Sequence, residues 1–182
     1  SFPFSPPIFN GRIISNSPKR GDVVVFKTPA DNRTDYIKRL IGLPGDKIQF
    51  VNGEILINNQ KIVRKSTISK YKIICGSGNF ETNVFEETLP NGVKYIAAYR
   101  KKGTMQNSDI YTVPKGHFFL LGDNRDCSKD SRFLSSVGYV KHLNLVGEAK
   151  IIFFSNDTLK GSIFKLWNLN KSLRFERFFK KL

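Results

Sequence analysis

The stretch "YIKRLIGLPGDK" (36–47) decides the fold, because it joins an apolar strand to a sharp turn. Alternate side chains of a strand point to opposite faces, so Tyr36, Lys38 and Leu40 share one face. Lys38 is therefore flanked on its own face by bulky apolar groups. The glycines and the proline of residues 42–46 then break the strand. A charge in this position indicates either an edge strand protected from aggregation or a lysine used in chemistry.

Alternating and β-branched runs on both sides of this stretch predict an all-β fold. The segment "KIQFVNGEILI" (47–57) predicts a hairpin with Asn52-Gly53 in a type I′ turn. The segment "ETLPNGVKYIAAY" (87–99) predicts a second hairpin of the same kind around Asn91-Gly92. Three further strands are predicted in "GDVVVFKT" (21–28), "HFFLLG" (117–122) and "LVGEAKIIFF" (145–154).

Polarity and turn spacing divide the chain into three predicted parts. Residues 1–57 and 115–160 form a β core, and the more polar residues 58–114 form an inserted β subdomain without obvious chemistry. In residues 161–182, phenylalanines recur at helical spacing opposite arginines and lysines, which predicts a short basic amphipathic C-terminal helix. Such a helix either lies in a membrane interface or packs its apolar face on the protein itself.

Composition sets the class of protein and its possible partners. The 182 residues include 16 phenylalanines and six tyrosines, so a globular core is expected rather than global disorder. The formal charge of +15 is typical of a protein that binds nucleic acid or an anionic membrane surface, although lysine-rich codon usage explains it equally well. No apolar run approaches the roughly 18 residues that span a bilayer. The chain starts at Ser1 and its only methionine is Met105, so we expect a preceding segment.

The familiar catalytic and metal-binding arrangements are not indicated. Cys75 and Cys127 are far apart and have only His117 and His142 beside them, so a zinc site is not predicted. A disulfide between the two cysteines is left open. No nucleophile elbow accompanies a histidine, and residues 122–132 lack the glycine and the glutamate of an EF-hand loop.

Lys38 is the candidate that remains. A lysine amine has a pKa of about 10.4 in water, and burial among apolar groups lowers this pKa by up to several units. A neutral amine of that kind accepts a proton from a serine hydroxyl in place of the usual histidine. The polar segment "GDNRDCSKDSR" (122–132) offers a hydroxyl, Ser128, that can orient such an amine, and a candidate ion pair, Asp130 and Arg132. The alternative is an ordinary solvated turn.

Three segments in the same order resemble the sequence boxes of the bacterial type I signal peptidases. They are "KRGDVVVFKTP" (19–29), "DYIKRLIGLPGDKI" (35–48) and "GDNRDCSKDSR" (122–132). These enzymes are membrane-bound serine endopeptidases with a Ser-Lys dyad. The last two boxes are long and idiosyncratic, so the resemblance is specific, and the three together cover about a fifth of the chain.

The resemblance implies an all-β fold, with a catalytic β core related to self-cleaving repressors and a variable β insertion. It implies that Lys38 is the general base and that Ser128 helps to position it. It implies no cofactor and no metal. The remaining site residues that it implies are a loop-stabilising ion pair and a substrate-binding strand: Asp130, Arg132, Asp35, Tyr36 and Ile37.

The implied activity is removal of signal peptides from secretory preproteins after small residues, as in the A-x-A pattern. The implied location is the inner membrane, with the catalytic domain on the periplasmic face against anionic lipid and without a nucleic-acid partner. The family's nucleophile lies in a Ser-x-Met-x-Pro box, which the 37 residues before Lys38 do not contain, and neither Ser1 nor Ser5 is followed by the required Met. The nucleophile and the membrane anchor are therefore expected upstream, and the isolated chain is expected to be inactive.

Two other functions agree with part of the sequence. A basic β-rich nucleic-acid-binding module agrees with the charge of +15 and predicts steeply salt-dependent binding, but its lysines and arginines are spread along the chain. A self-cleaving repressor-like protease shares Ser-Lys chemistry, but residues 122–132 and the lack of a DNA-binding helical segment argue against it.

Overall fold

The computed structural model describes residues 17–67, 72–75, 78–100 and 105–150. These residues form three antiparallel sheets and two short 3-10 helices, Arg125–Cys127 and His142–Asn144, so the predicted all-β fold is confirmed. The predicted C-terminal helix lies outside the described residues. The strands in chain order are β1 Val23–Lys27, β2 Asp35–Gly42, β3 Lys47–Val51, β4 Glu54–Ile57, β5 Gln60–Lys61, β6 Val63–Ser66, β7 Lys72–Cys75, β8 Gly78–Thr88, β9 Lys94–Arg100, β10 Tyr111–Thr112, β11 His117–Leu121, β12 Val140–Lys141 and β13 Leu145–Glu148.

The first sheet has the strand order β12-β11-β2-β1-β13, so β2 lies at its centre. β1 pairs with β2 over residues 35–39, whereas β11 pairs with it only from Arg39 to Gly42. Among the described residues, Lys38 therefore has a strand partner on the β1 side alone, and the edge-strand explanation stays open for it. The turn that follows β2 is held by the Asp46 carboxylate, which accepts hydrogen bonds from the Leu43 amide at 2.6 Å and from Arg20 Nη1 at 2.8 Å. This explains why an aspartate closes the Gly-Leu-Pro-Gly run.

Both faces of the first sheet are buried where the second half of β2 pairs with β11. Leu40, Phe118 and Leu120 face one apolar cluster, and Ile41 and Phe119 face the other. The alternation within β2 and β11 agrees with the period of two that the sequence predicts. Lys38 lies just before this buried half of β2 and is itself partly buried.

The second sheet, β10-β3-β4-β5, contains the first predicted hairpin. Asn52 and Gly53 have φ values of 50° and 76°, so both central residues of the turn lie in the left-handed region that a type I′ turn requires. This prediction is confirmed. β5 and β10, which fall within the predicted insertion, pair with β4 and β3 of the predicted core. The boundaries of the inserted subdomain stay a prediction.

The third sheet is built on β8, which pairs with β6, β7 and β9. β8 and β9 form the second predicted hairpin, but its turn is not the predicted two-residue one. The Gly92 amide donates to the Leu89 carbonyl at 2.8 Å, which closes a β-turn with Pro90 at its second position. The Leu89 amide also donates to the Val93 carbonyl at 2.9 Å, and Gly92 has φ 84° whereas Asn91 does not have a positive φ. The loop therefore has three residues, and proline is favoured at the second position of such a turn.

Candidate active site

Lys38 lies in β2 opposite the fully buried Val24 of β1, and its side chain is partly buried. Its amine is 5.3 Å from the centroid of the Tyr36 ring. Burial lowers the pKa of Lys38 below its ordinary value of 10.5, while the carboxylates of Asp130 and Asp123 act in the opposite direction. A lysine with a lowered pKa is the kind of base that the sequence predicts.

The site loop, residues 122–132, turns back onto the strand that precedes it. The Leu120 amide donates to Ser131 Oγ at 2.9 Å, and the Ser131 amide donates to the Leu120 carbonyl at 3.0 Å. The Gly122 amide donates to Asp130 Oδ2 at 3.0 Å. These bonds hold the end of the site loop against β11, which is paired with the strand that carries Lys38.

Lys38 and Ser128 come together at Gly122. A Cβ atom built on Gly122 would lie 2.1 Å from Ser128 Oγ and 3.6 Å from Lys38 Cδ, so Ser128 occupies the space left by the missing side chain and Lys38 borders that space. The Ser128 hydroxyl oxygen is buried and has no hydrogen-bond partner among the described residues. The structure therefore places the two side chains side by side without a hydrogen bond between them, and the positioning role of Ser128 stays a prediction.

Asp130 and Arg132 form an ion pair in the interior. The Asp130 carboxylate is fully buried and accepts from Arg132 Nε and Nη2, each at 2.8 Å. Arg132 Nη2 also donates to the Arg125 carbonyl. A bidentate pair with every partner in place gives the loop one geometry. Because Asp130 also holds the Gly122 amide, this pair fixes the point at which Lys38 and Ser128 meet.

A second ion pair connects the site loop to the opposite face of β2. Arg39 donates to the two carboxylate oxygens of Asp123 at 2.8 and 2.6 Å and to the Gly21 carbonyl at 2.8 Å. Arg39 follows Lys38 and points away from it, because adjacent strand residues face opposite sides. The loop is thus bound to β2 on the face opposite the candidate base.

The residues that the resemblance assigns to the substrate strand lie at the start of β2. Asp35 and Ile37 are exposed, the latter by 50%, and Tyr36 is partly buried against Phe26. β1 pairs with this segment, but the register with β11 starts only at Arg39. Within the described part of the chain, residues 35–37 therefore have no strand partner on the β11 side.

The sequence did not reveal a buried polar cluster that contacts the site loop. Arg125 is fully buried, and Nη1 donates to Glu87 Oε2 at 2.9 Å and to the Tyr99 hydroxyl at 3.0 Å, while Nη2 donates to the Tyr95 hydroxyl at 2.9 Å. The available signal was the spacing of Tyr95 and Tyr99, which are four residues apart in β9 and therefore share one face of the strand. Glu87 gave no signal, because a glutamate in a polar segment is ordinarily solvated.

Cys75 and Cys127, whose state the sequence left open, form a disulfide. Cys75 ends β7 and Cys127 directly precedes Ser128, so the bond links the inserted strands to the site loop.

Beside Ser128 is a cavity of about 500 Å³, lined by site-loop residues and by residues 105–107. No group of three or more potential ligand side chains suitable for a metal ion is found in the described ranges.

The family model for "Signal peptidase, peptidase S26" matches residues 9–154. Signal peptidase I of Rickettsia typhi is 41% identical over 191 residues, which cover 97% of this chain and 70% of that protein. Signal peptidase I of Rickettsia prowazekii is 40% identical over 190 residues, which cover 96% of this chain and 70% of that protein. These similarities define a peptidase. The chain belongs to the signal peptidase family, peptidase S26.

Among solved structures, a signal peptidase I from Enterococcus faecalis V583 is similar, with 26% identity and a TM-score of 0.43. The alignment covers 74% of this chain and 97% of that one. Neither the nucleic-acid-binding module nor the self-cleaving repressor is supported by the family match or by the Rickettsia relatives. None of the described residues lies in a helix with the length and hydrophobicity needed to cross a membrane.

Proposed function

We propose that this chain supplies the general base of a signal peptidase that removes signal peptides from secretory preproteins. The observation that carries the proposal is the half-buried Lys38, whose pKa burial lowers, beside the hydroxyl of Ser128. The nucleophile is proposed to be a serine that precedes Ser1, as the family resemblance implies. Ser128 is the positioning residue for the Lys38 amine, and the ion pair of Asp130 with Arg132 supports it.

The proposed reaction is acyl transfer in two stages. Lys38 Nζ accepts the proton of the nucleophilic hydroxyl while the serine oxygen bonds to the carbonyl carbon of the scissile peptide. The carbon–nitrogen bond then breaks, and the proton on Lys38 passes to the leaving amine. In the second stage Lys38 Nζ accepts a proton from water while the water oxygen bonds to the acyl carbon. The ester carbon–oxygen bond then breaks, and Lys38 gives the proton to the departing serine oxygen, which restores the hydroxyl and the neutral amine. Only the neutral amine can begin this sequence, which is why burial of Lys38 matters.

The substrate is proposed to bind as an added strand along the start of β2. Residues 35–37 have an exposed side on which the described residues place no strand, and an extended peptide gains main-chain hydrogen bonds at such an edge. The side chains of Asp35, Tyr36 and Ile37 would then form the shallow pockets that select small residues before the cut. The enzyme is proposed to work at the inner membrane, on the periplasmic face. The charge of +15 favours its contact with anionic lipid.

Two substitutions at Lys38 in the full-length protein test this proposal. Lys38→Met removes the amine, and Lys38→Arg keeps a positive charge that cannot be lost at working pH. Both variants are expected to abolish preprotein processing with little change in thermal stability. Lys94→Met is the matched control, since Lys94 is exposed on β9 and is expected to leave processing intact. Normal processing by either Lys38 variant would refute the proposal.

A further inference from the structure

A buried guanidinium is one of the contacts between the inserted strands and the site loop. Arg125 Nε donates to the Gly122 carbonyl at 3.1 Å, while its other two nitrogens donate to groups on β8 and β9. Gly122 is the residue at which Lys38 and Ser128 meet. One side chain therefore joins the centre of the site to the inserted sheet.

The partners of Arg125 also form hydrogen bonds with one another. Glu87 is fully buried and accepts from the Tyr95 hydroxyl at 2.7 Å and from the Tyr99 hydroxyl, as well as from Arg125. Burial is the main reason that the pKa of Tyr99 is raised to about 12, and this hydroxyl therefore keeps its proton at physiological pH. Arg64 Nε lies 3.4 Å from Glu87 Oε1. A buried network in which each member is satisfied has one favourable arrangement.

Three further bonds hold the same part of the loop to the insertion. The Ala98 amide of β9 donates to the Asp123 carbonyl at 2.8 Å, and the Arg100 amide donates to Asp126 Oδ2 at 2.7 Å. The third is the disulfide of Cys127. The loop residues that directly precede Ser128 are thus bound to inserted strands, whereas the residues that follow it are bound to β11.

Ser128 itself has no comparable restraint. In the part of the chain that the structure describes, its hydroxyl has no hydrogen-bond partner. The position of this hydroxyl relative to Lys38 is therefore set by the residues on either side of Ser128 rather than by its own contacts.

We infer that Glu87, Tyr95 and Tyr99 of the inserted strands are positioning residues for the active site, acting through Arg125 on the loop that carries Ser128. The inference rests on the proposed roles of Lys38 and Ser128. It gives the insertion, which the sequence predicts to be without chemistry, a part in catalysis.

The test is Glu87→Gln in the full-length protein, compared with Glu86→Gln. Glu86 is the adjacent residue of β8, its side chain is 37% exposed, and it pairs with Lys94 at 3.8 Å, so the control makes the same chemical change outside the network. Glu87→Gln removes the buried negative charge opposite Arg125 and allows the site loop to shift. Since a sub-ångström shift is enough to matter, kcat is expected to fall about tenfold with KM unchanged. The pKa read from the acid limb of the kcat–pH profile is expected to differ from the wild-type value, because the surroundings of Lys38 change.

A purely structural role for Glu87 predicts a different result. Thermal stability would fall, but kcat and the pH profile would match those of Glu86→Gln, and this would overturn the inference. If Glu87→Gln does not fold, Tyr99→Phe removes one hydroxyl from the network and keeps the ring. It is expected to change kcat and the acid limb in the same direction, and unchanged values in this variant would equally overturn the inference.

Lys38→Met in the same assay separates this inference from the proposed function. An active Lys38→Met variant would refute the proposed function whatever Glu87 does. An inactive Lys38→Met variant together with an unaffected Glu87→Gln variant would refute only the role of the inserted strands.

Discussion

Gly122 is the point at which one added methyl group tests the geometry of the site. A Cβ atom there would lie 2.1 Å from Ser128 Oγ and 2.4 Å from Ser128 Cβ. Carbon atoms in contact are separated by about 3.5–4.0 Å, so Ser128 must retreat by roughly 1 Å in Gly122→Ala. The glycine cannot retreat instead, because Asp130 holds its amide at 3.0 Å.

A displacement of this size at a positioning residue costs about 100-fold in rate. We therefore expect Gly122→Ala to lower kcat by about 100-fold, equivalent to about 2.7 kcal/mol of transition-state stabilisation, with KM little changed. The assay is cleavage of a peptide with an A-x-A sequence by the full-length protein, with thermal unfolding as the check on folding.

A double-mutant cycle identifies the cause of the loss. Ser128→Gly removes both atoms that the new methyl group would meet, so Gly122→Ala should cost far less in that background. Strict additivity of the two effects would show that the contact with Ser128 is not the reason. Wild-type kcat in Gly122→Ala would refute the reasoning outright.

Two further predictions concern the stability of the site loop. The Cys75–Cys127 bond spans 52 residues, so replacing both cysteines by serine should lower the free energy of unfolding by up to about 4 kcal/mol and Tm by roughly 10 °C. Reductant should bring the wild-type protein to the same Tm. An unchanged Tm in the double variant would contradict this prediction. Asp130→Asn leaves a buried Arg132 charge unpaired and should cost about 3 kcal/mol by denaturant unfolding. The double variant Asp130→Asn/Arg132→Met should regain part of that stability, and no recovery would argue against the pair.

The local features of the fold could be predicted from the sequence because each depends on neighbouring residues. The Asn52-Gly53 turn follows from two residues that tolerate positive φ, and the buried strands follow from apolar runs. The second hairpin was predicted but its turn was wrong, because Pro90 takes the second position of the turn and shifts it by one residue. The partly buried setting of Lys38 followed from strand alternation alone.

The contacts between distant parts of the chain could not be predicted from local patterns. Glu87 and Arg125 are 38 residues apart, and nothing near either residue indicates that packing of β8 against the site loop brings them together. The same applies to the Cys75–Cys127 disulfide. The sequence shows that this bond is possible but does not show that it forms. The resemblance to signal peptidases identified residues in the boxes, and for that reason it did not point to Glu87, Tyr95 or Tyr99.

The pKa of the Lys38 amine tests the central claim most directly. It can be measured in this chain by NMR, with lysine labelled with carbon-13 at Cε and the Lys38 signal assigned by its loss in Lys38→Arg. Because burial disfavours the charged form, the amine is predicted to titrate below 10.5, and activity of the full-length protein should rise with pH through the same value. An amine that titrates at 10.5 or above would contradict the account, since such a lysine stays protonated at working pH.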